Sequence, residues 1–324
     1  MPLLFLGDRL AFSETDNFPF KANQILDEHN FVSVDFLNLA PASNKKVFDL
    51  NSVFYRHSER DPSISPTTLE QLLKAIELNN IDKAERLIIG LDINAQDKRG
   101  ITPLYKSVFH NRFSFINLLL ERGANTNIPD HEGLSPLHIV ALENLDRLPS
   151  LLLNHGAEIE AKDSFGYTPL HLAADQNSTE TARILIERGA NVNNRSGWGN
   201  TPLQAATAQG NIKLIKLLLK KGAEIGAVDR LGRTALHWVA EKGYLNIAEF
   251  LILNGAPVHH QDNDGHTPLH EAAKWGQNKM IKLFLTHGAN VNAKGSDGRG
   301  PLHIAIANGN IDIANMLKKH GAKL

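Results

Sequence analysis

The sequence predicts a mainly α-helical solenoid of stacked helix-turn-helix units with hairpin loops, preceded by a short β-rich extension. Three observations carry this. Gly100, Gly133, Gly166, Gly199, Gly232, Gly265 and Gly298 stand 33 residues apart. Gly123, Gly156, Gly189, Gly222, Gly255, Gly288 and Gly321 keep the same step. Between the ladders, apolar residues recur at helical spacing, as in Ile215, Leu218 and Leu219, or Ile281, Phe284 and Leu285. Spacing this strict means that one supersecondary unit is repeated and that neighbours stack to bury a shared core.

In chain order, residues 1–65 are not repeats. Phe31-Val32-Ser33-Val34-Asp35-Phe36 and Lys46-Val47-Phe48-Asp49-Leu50 alternate as short strands do. Asp61-Pro62-Ser63-Ile64-Ser65-Pro66 reads as a linker. Residues 66–96 read as a capping helix pair. Thr67 and Glu70 fit a capping box before a helix over Leu69 to Leu78. A second helix carries Ala84, Leu87 and Ile88, with one residue lost before Gly90.

Residues 97–324 hold seven repeats, and the unit explains itself physically. Two residues after each glycine of the first ladder comes a tetrad. The first four are Thr102-Pro103-Leu104-Tyr105, Ser135-Pro136-Leu137-His138, Thr168-Pro169-Leu170-His171 and Thr201-Pro202-Leu203-Gln204. The rest are Thr234-Ala235-Leu236-His237, Thr267-Pro268-Leu269-His270 and Gly300-Pro301-Leu302-His303. Thr caps the helix N-terminus, Pro fits the first helical position, and Leu begins the buried stripe. A second helix ends at the second-ladder glycine, a left-handed cap. Repeat two departs from this, with Asn144 where later copies have Gly210, Gly243, Gly276 and Gly309, and with Pro149 near its second helix. Looser packing is expected there. In the last repeat Lys318 replaces the apolar residue of earlier copies (Leu120, Leu153, Ile186, Leu219, Ile252, Leu285), which suits a C-terminal cap that completes the array.

The tetrads and their period make residues 66–324 resemble the ankyrin repeat. The resemblance implies projecting hairpins, a concave face formed with the inner helices, and protein binding there. It also implies that His138, His171, His237, His270 and His303 bond within and between repeats. Asn94, Asn127, Asn193 and Asn292 occupy equivalent hairpin positions. There they bond the backbone, and such asparagines are substrates of an asparaginyl hydroxylase in some ankyrin proteins.

Composition narrows the classes. A formal net charge of -1 argues against broad nucleic-acid binding. No cysteine means no disulfide framework, compatible with a reducing compartment. Leu3-Leu4-Phe5-Leu6 is too short for a secretory signal, and no apolar run reaches a membrane span. A cytoplasmic monomer without cofactor is the plain expectation. No nucleophile elbow, P-loop or dinucleotide fingerprint is present, which argues against an enzyme.

The candidate partner-binding residues precede the first-ladder glycines. Phe165, Trp198 and Leu231 are consecutive there and should form an apolar stripe, with Tyr167 beside it and Trp275 on the inner helix of repeat six. Arg195, Arg230, Arg233, Lys242 and Lys274 form a basic set on the same side, interrupted by Asp175, Glu241 and Asp264. They could favour an acidic peptide or be ordinary solvated surface. His260 to Glu271 imitates a calcium loop only by coincidence, and His259, His260 and His266 lack fixed metal-ligand spacing. No metal is expected. Ala322-Lys323-Leu324 resembles a peroxisomal address but reads as a repeat ending.

Two functions follow. One is a non-enzymatic module that binds a protein partner on the concave face and hairpin tips. The other is an adaptor or bacterial effector acting in host cells, with residues 1–65 giving targeting or activity and the repeats selecting the client.

Overall fold

A computed structural model describes residues 67–324 of the chain. The strands, the linker and the targeting or activity expected of residues 1–65 lie outside the described residues. The inner helices are α1 (Thr68–Glu77), α3 (Pro103–Phe109), α5 (Pro136–Leu142), α7 (Pro169–Asp175), α9 (Pro202–Ala208), α11 (Ala235–Lys242), α13 (Pro268–Lys274) and α15 (Pro301–Ala307). The outer helices are α2 (Ile81–Ile88), α4 (Phe113–Glu121), α6 (Pro149–Asn154), α8 (Thr179–Glu187), α10 (Ile212–Lys220), α12 (Leu245–Leu253), α14 (Asn278–Thr286) and α16 (Ile311–Lys319). Each inner helix packs on the next inner helix and on its own outer helix. The expected projecting loops are present as tight turns, with no strand among the described residues.

The core runs between the two helix layers. Leu104, Leu137, Leu170, Leu203, Leu236, Leu269 and Leu302 of the tetrads are all buried. Opposite them lie Ile215 and Leu218 of α10, and Ile281 and Phe284 of α14. Burying each such side chain contributes about 1.5–3 kcal/mol. Leu219 and Leu285 are half-buried, and Lys318 is exposed.

The two glycine ladders serve different ends. Gly189 follows α8 with φ 95°, and a side chain there would meet nothing within 4 Å. It is needed for conformation alone: Ala190 N–H reaches Leu185 O at 2.9 Å and closes the helix end. Gly166 has φ 76° as well, but an added Cβ would lie 2.7 Å from the Gly197 backbone N of the next repeat. Gly166→Ala should therefore cost well over the ~1 kcal/mol expected for Gly189→Ala, because it adds a backbone clash to the conformational strain. Urea-unfolding midpoints of the two variants check this, and equal costs would contradict it.

Asn144 is not an irregularity. It is left-handed, with φ 52°, as are Asn79, Asn111 and Asn177 at the same turn. Asparagine tolerates this region, so Asn serves in the early repeats where Gly serves in the later ones; at Gly243 a Cβ would lie 2.5 Å from the Gln277 side chain. The departure in repeat two is its outer helix. Pro149 sits at the first position of α6, which has six residues against nine in α8. A cavity of about 230 Å³ lined by Asn111 and Asn144 to Leu148 adjoins it. In the N-terminal pair, Asn79 precedes Gly90 by one residue fewer than Asn111 precedes Gly123, and α2 is correspondingly one residue shorter than α4. The Thr67 and Glu70 capping box is formed, at 2.9 and 3.2 Å.

Asparagine clasps join the loops behind the outer helices. Asn127 accepts from Glu158 N–H at 2.7 Å and donates to Gly156 O at 2.8 Å. Asn193 does the same to Glu224 and Gly222, and Asn292 to Lys323 and Gly321. Asn94 accepts from Asn125 N–H, and Glu160 takes Asn191 N–H in repeat two. The equivalent positions in repeats four and five are Gly226 and His259. Gly226 has no side chain to make a clasp. Beside His259 a cleft of about 370 Å³ opens between Val258 and Asn292.

Candidate functional site

Five of the seven turns before the repeats' inner helices are built on an aspartate acceptor, with Ser196 in its place in repeat four and Gly295 in repeat seven. Asp163 Oδ1 takes Phe165 N–H at 2.9 Å and Tyr167 N–H at 2.8 Å. Asp97, Asp130, Asp229 and Asp262 do likewise in their own turns. This aspartate ladder has the same 33-residue step as the glycines. It was readable by period, but aspartate in a turn reads as solvated surface. Burial instead pushes the Asp163 carboxyl up to about 6, against the pull of its N–H donors.

Neighbouring turns are joined tip to tip. Gly197 N–H donates to Phe165 O at 2.7 Å, Arg230 N–H to Trp198 O at 2.9 Å, and Asn263 N–H to Leu231 O at 2.9 Å. A Cβ on Gly197 would lie 2.5 Å from Phe165 O, so glycine permits the closest of these approaches. The ladder fixes Phe165, Trp198 and Leu231 at matching positions on three successive tips. Phe165 and Trp198 are half-buried, and Leu231 is 42% exposed. The Arg230 guanidinium lies 5.8 Å from the Trp198 ring centroid, within cation–π range.

Two of the expected surface residues are interior. Tyr167 is 5% exposed, with hydrogen bonds to Ser196 and Asn200 of the next repeat, so it is a packing residue rather than a contact for a partner. Arg233 occupies the position filled by Ile101, Leu134 and Tyr167 in earlier repeats. Its guanidinium stacks 4.2 Å from Trp238 and bonds Glu241 at 2.7 Å, which makes it a cation held inside the groove wall. Lys242 shares Glu241 at 3.2 Å. Trp275 is half-buried beyond the end of α13, where its Nε1 donates to Glu271 at 3.2 Å and Lys274 lies 5.4 Å from its ring. Arg195 is turned along the array, bonding Gly199 and Val228 carbonyls.

Three of the tetrad histidines bond within and between repeats as expected, while His270 and His303 bond only within their own turn, taking Thr267 N–H at 3.0 Å and Gly300 N–H at 3.3 Å, and His270 Nε2 is buried without a partner among the described residues. Thr168 N–H donates to His171 Nδ1 at 3.2 Å, and His171 Nε2 lies 3.0 Å from Asn200 O in the next repeat. An Nδ1 that accepts leaves the proton on Nε2, so the neutral ring satisfies both partners. His138 and His237 bond in the same way to Tyr167 and His266. Burial pushes His138 and His171 down to about 4 and His237 to about 3. The Thr hydroxyl cap expected in every repeat is replaced here by the ring, while Thr102 and Thr201 cap directly. Gln204 stands in for histidine in repeat four.

Asp262, His266 and Glu271 gather with their ligand atoms within 4.8 Å. Asp262 Oδ1 is already shared by two backbone N–H groups, and Glu271 faces the Arg233 charge. His260 bonds Gly232 O at 3.0 Å.

Sequence reasoning placed Asp175 on the groove side but missed Glu143. Glu143 caps α5, half-buried with no cation in ion-pair reach among the described residues, and burial pushes it up to about 7. Asp175 ends α7 and accepts only neutral amides, Gln209 at 3.0 Å and Gln176 at 3.1 Å.

Among the described residues, no helix is long and apolar enough to cross a membrane. A family model described as ankyrin repeats (3 copies) matches residues 72–163, 114–196, 144–229, 193–262 and 236–324. No curated protein matches the chain.

Proposed function

The chain belongs to the ankyrin repeat family, and on that premise we propose that it is a non-enzymatic module that captures a protein partner between its turn tips and inner helices, chiefly on repeats three to six. The observation that supports this reading is the apolar stripe of Phe165, Trp198 and Leu231, held in register by backbone bonds from tip to tip. Side chains placed by a rigid frame bind with little ordering cost, and aromatic residues dominate interface energetics. Arg230 over Trp198 adds a charge at the rim of the same stripe.

The test compares the full chain with a Phe165→Ser, Trp198→Ser, Leu231→Ser variant in affinity capture from cell lysate. The circular dichroism and melting of both are checked first. A partner retained by the intact chain and weakened at least ~10-fold in the variant supports the reading. Equal capture by both folded proteins overturns it.

A further inference from the structure

Resting on that reading, we infer that the groove takes an extended peptide segment of fixed charge order: a basic side chain at repeats two and three, apolar side chains across the tips of repeats three to five, and an acidic side chain at repeats five and six.

The inner-helix ends come in two registers. Leu142, Asp175, Ala208, Glu241 and Lys274 form one, and Glu143, Gln176, Gln209, Lys242 and Trp275 the other. Arg233, beside a turn tip, bonds Glu241 at a helix end, so tips and helix ends line one groove there. Charge changes sign along that groove. At repeats two and three stand Glu143, Asp175 and the tip residue Glu132, none in an ion pair with another described residue. The nearby cations of repeat one are engaged, Arg99 with Asp97 at 3.8 Å and Lys106 with Glu77 at 3.7 Å. Repeat four offers Ala208, Gln209 and Trp198, without charge. At repeats five and six, Arg233 and Lys242 both bond Glu241. Arg230 and Lys274 lie against tryptophan rings rather than carboxylates. Glu271 answers part of this charge through Arg233, and Asp264 at the sixth tip bounds the cationic stretch.

A half-buried carboxylate without a counterion disfavours ionisation, as the raised Glu143 shows. A lysine or arginine from outside would supply the missing charge. At the other end four cations, Arg230, Arg233, Lys242 and Lys274, stand with three carboxylates, Glu241, Glu271 and Asp264, and Arg230 and Lys274 have no ion-pair partner among the described residues. Complementary potential fixes orientation and register more than affinity, so it selects one direction of the peptide. Glu143 and Lys242 lie three repeats apart in equivalent positions. With neighbouring helices roughly 8–10 Å apart and an extended chain rising about 3.4 Å per residue, the two peptide charges should stand ~8 residues apart.

The test pans a phage-displayed random dodecapeptide library against the full chain, with an unrelated protein as control. Enriched sequences are synthesised with a fluorophore and titrated by polarisation. The expected result is a basic and an acidic residue about 8 positions apart around apolar residues, with at least ~10-fold weaker binding when the peptide charges are exchanged. Glu143→Gln with Asp175→Asn should weaken the parent peptide and leave its Lys→Gln form unaffected. Lys242→Gln with Lys274→Gln should do the same for the acidic position. Enrichment without charge order, tolerance of the charge exchange, or no enrichment over the control overturns the inference. Peptides that need Phe165, Trp198 and Leu231 but ignore the charge variants leave the stripe standing and remove only the charge order. Peptides indifferent to the stripe count against the underlying reading.

Discussion

Replacing His138, His171 and His237 together by glutamine is expected to leave the melting temperature at pH 7.5 within a few degrees of wild type and to remove most of its fall toward pH 4.5. Glutamine is the chain's own substitute: Gln204 accepts Thr201 N–H at 2.9 Å and donates to Arg233 O at 2.8 Å, as the histidine rings do. It cannot gain a proton. The three histidines titrate near the usual 6.5 when unfolded and at about 4, 4 and 3 when folded. Their folded values are depressed, so the unfolded chain binds more protons between those limits. Their contribution is complete above about pH 6.5 and is lost as pH falls toward 4, at ~3 kcal/mol per ring. Asp163 and Asp175 at about 6 and Glu143 at about 7 work in the opposite direction, because their folded values are raised. They favour the folded chain as pH falls. His110 and His270, also held at about 4 by burial, remain in the variant and still lose stability with acid, so these carboxylates should hold its melting temperature near level from pH 7 to pH 5 rather than raise it. Parallel pH curves for variant and wild type would remove the histidines as the acid-sensitive groups.

The second large effect is expected at Asp163. Asp163→Ala strands Phe165 N–H and the buried Tyr167 N–H, at a cost of ~2–4 kcal/mol for two lost acceptor bonds. Asp163→Asn keeps an oxygen in place and should stay within ~1 kcal/mol of wild type. The sign of its pH dependence separates charge from bonding. A carboxyl at about 6 in the fold and 3.8 outside it loses stability as pH rises through that window. The asparagine variant should therefore gain on wild type between pH 4 and pH 7. Denaturant midpoints at pH 4.5 and pH 7.5 measure it. An alanine variant as stable as asparagine would show that the turn does not depend on this acceptor.

Most of the solenoid was legible because its period is a covalent fact. Both glycine ladders, the Thr67 capping box and the residue missing before Gly90 could be read by counting. Depth was not. Tyr167 and Phe165 are two residues apart in one turn, yet Tyr167 is buried under the next repeat while Phe165 remains half-exposed at the tip. Spacing places a residue on a turn and leaves open which way it points. Arg233 shows the same limit, since nothing local reveals that its position is filled by Ile101 and Leu134 elsewhere and is walled by Trp238. The aspartate ladder was visible as a pattern and overlooked in meaning. Glu143 was invisible, because a carboxylate is recognised as unpaired only when its neighbours are known.

The asparagine clasps are spread unevenly along the array. The links that follow repeats four and five are held along the tip edge, by Arg230 N–H on Trp198 O and Asn263 N–H on Leu231 O, both at 2.9 Å. Along the far edge, Gly226 and His259 replace the clasping asparagines. The rear border therefore carries fewer side-chain links after repeats four and five than after repeats one, three and six, while the row of tips keeps its pitch like a ruler.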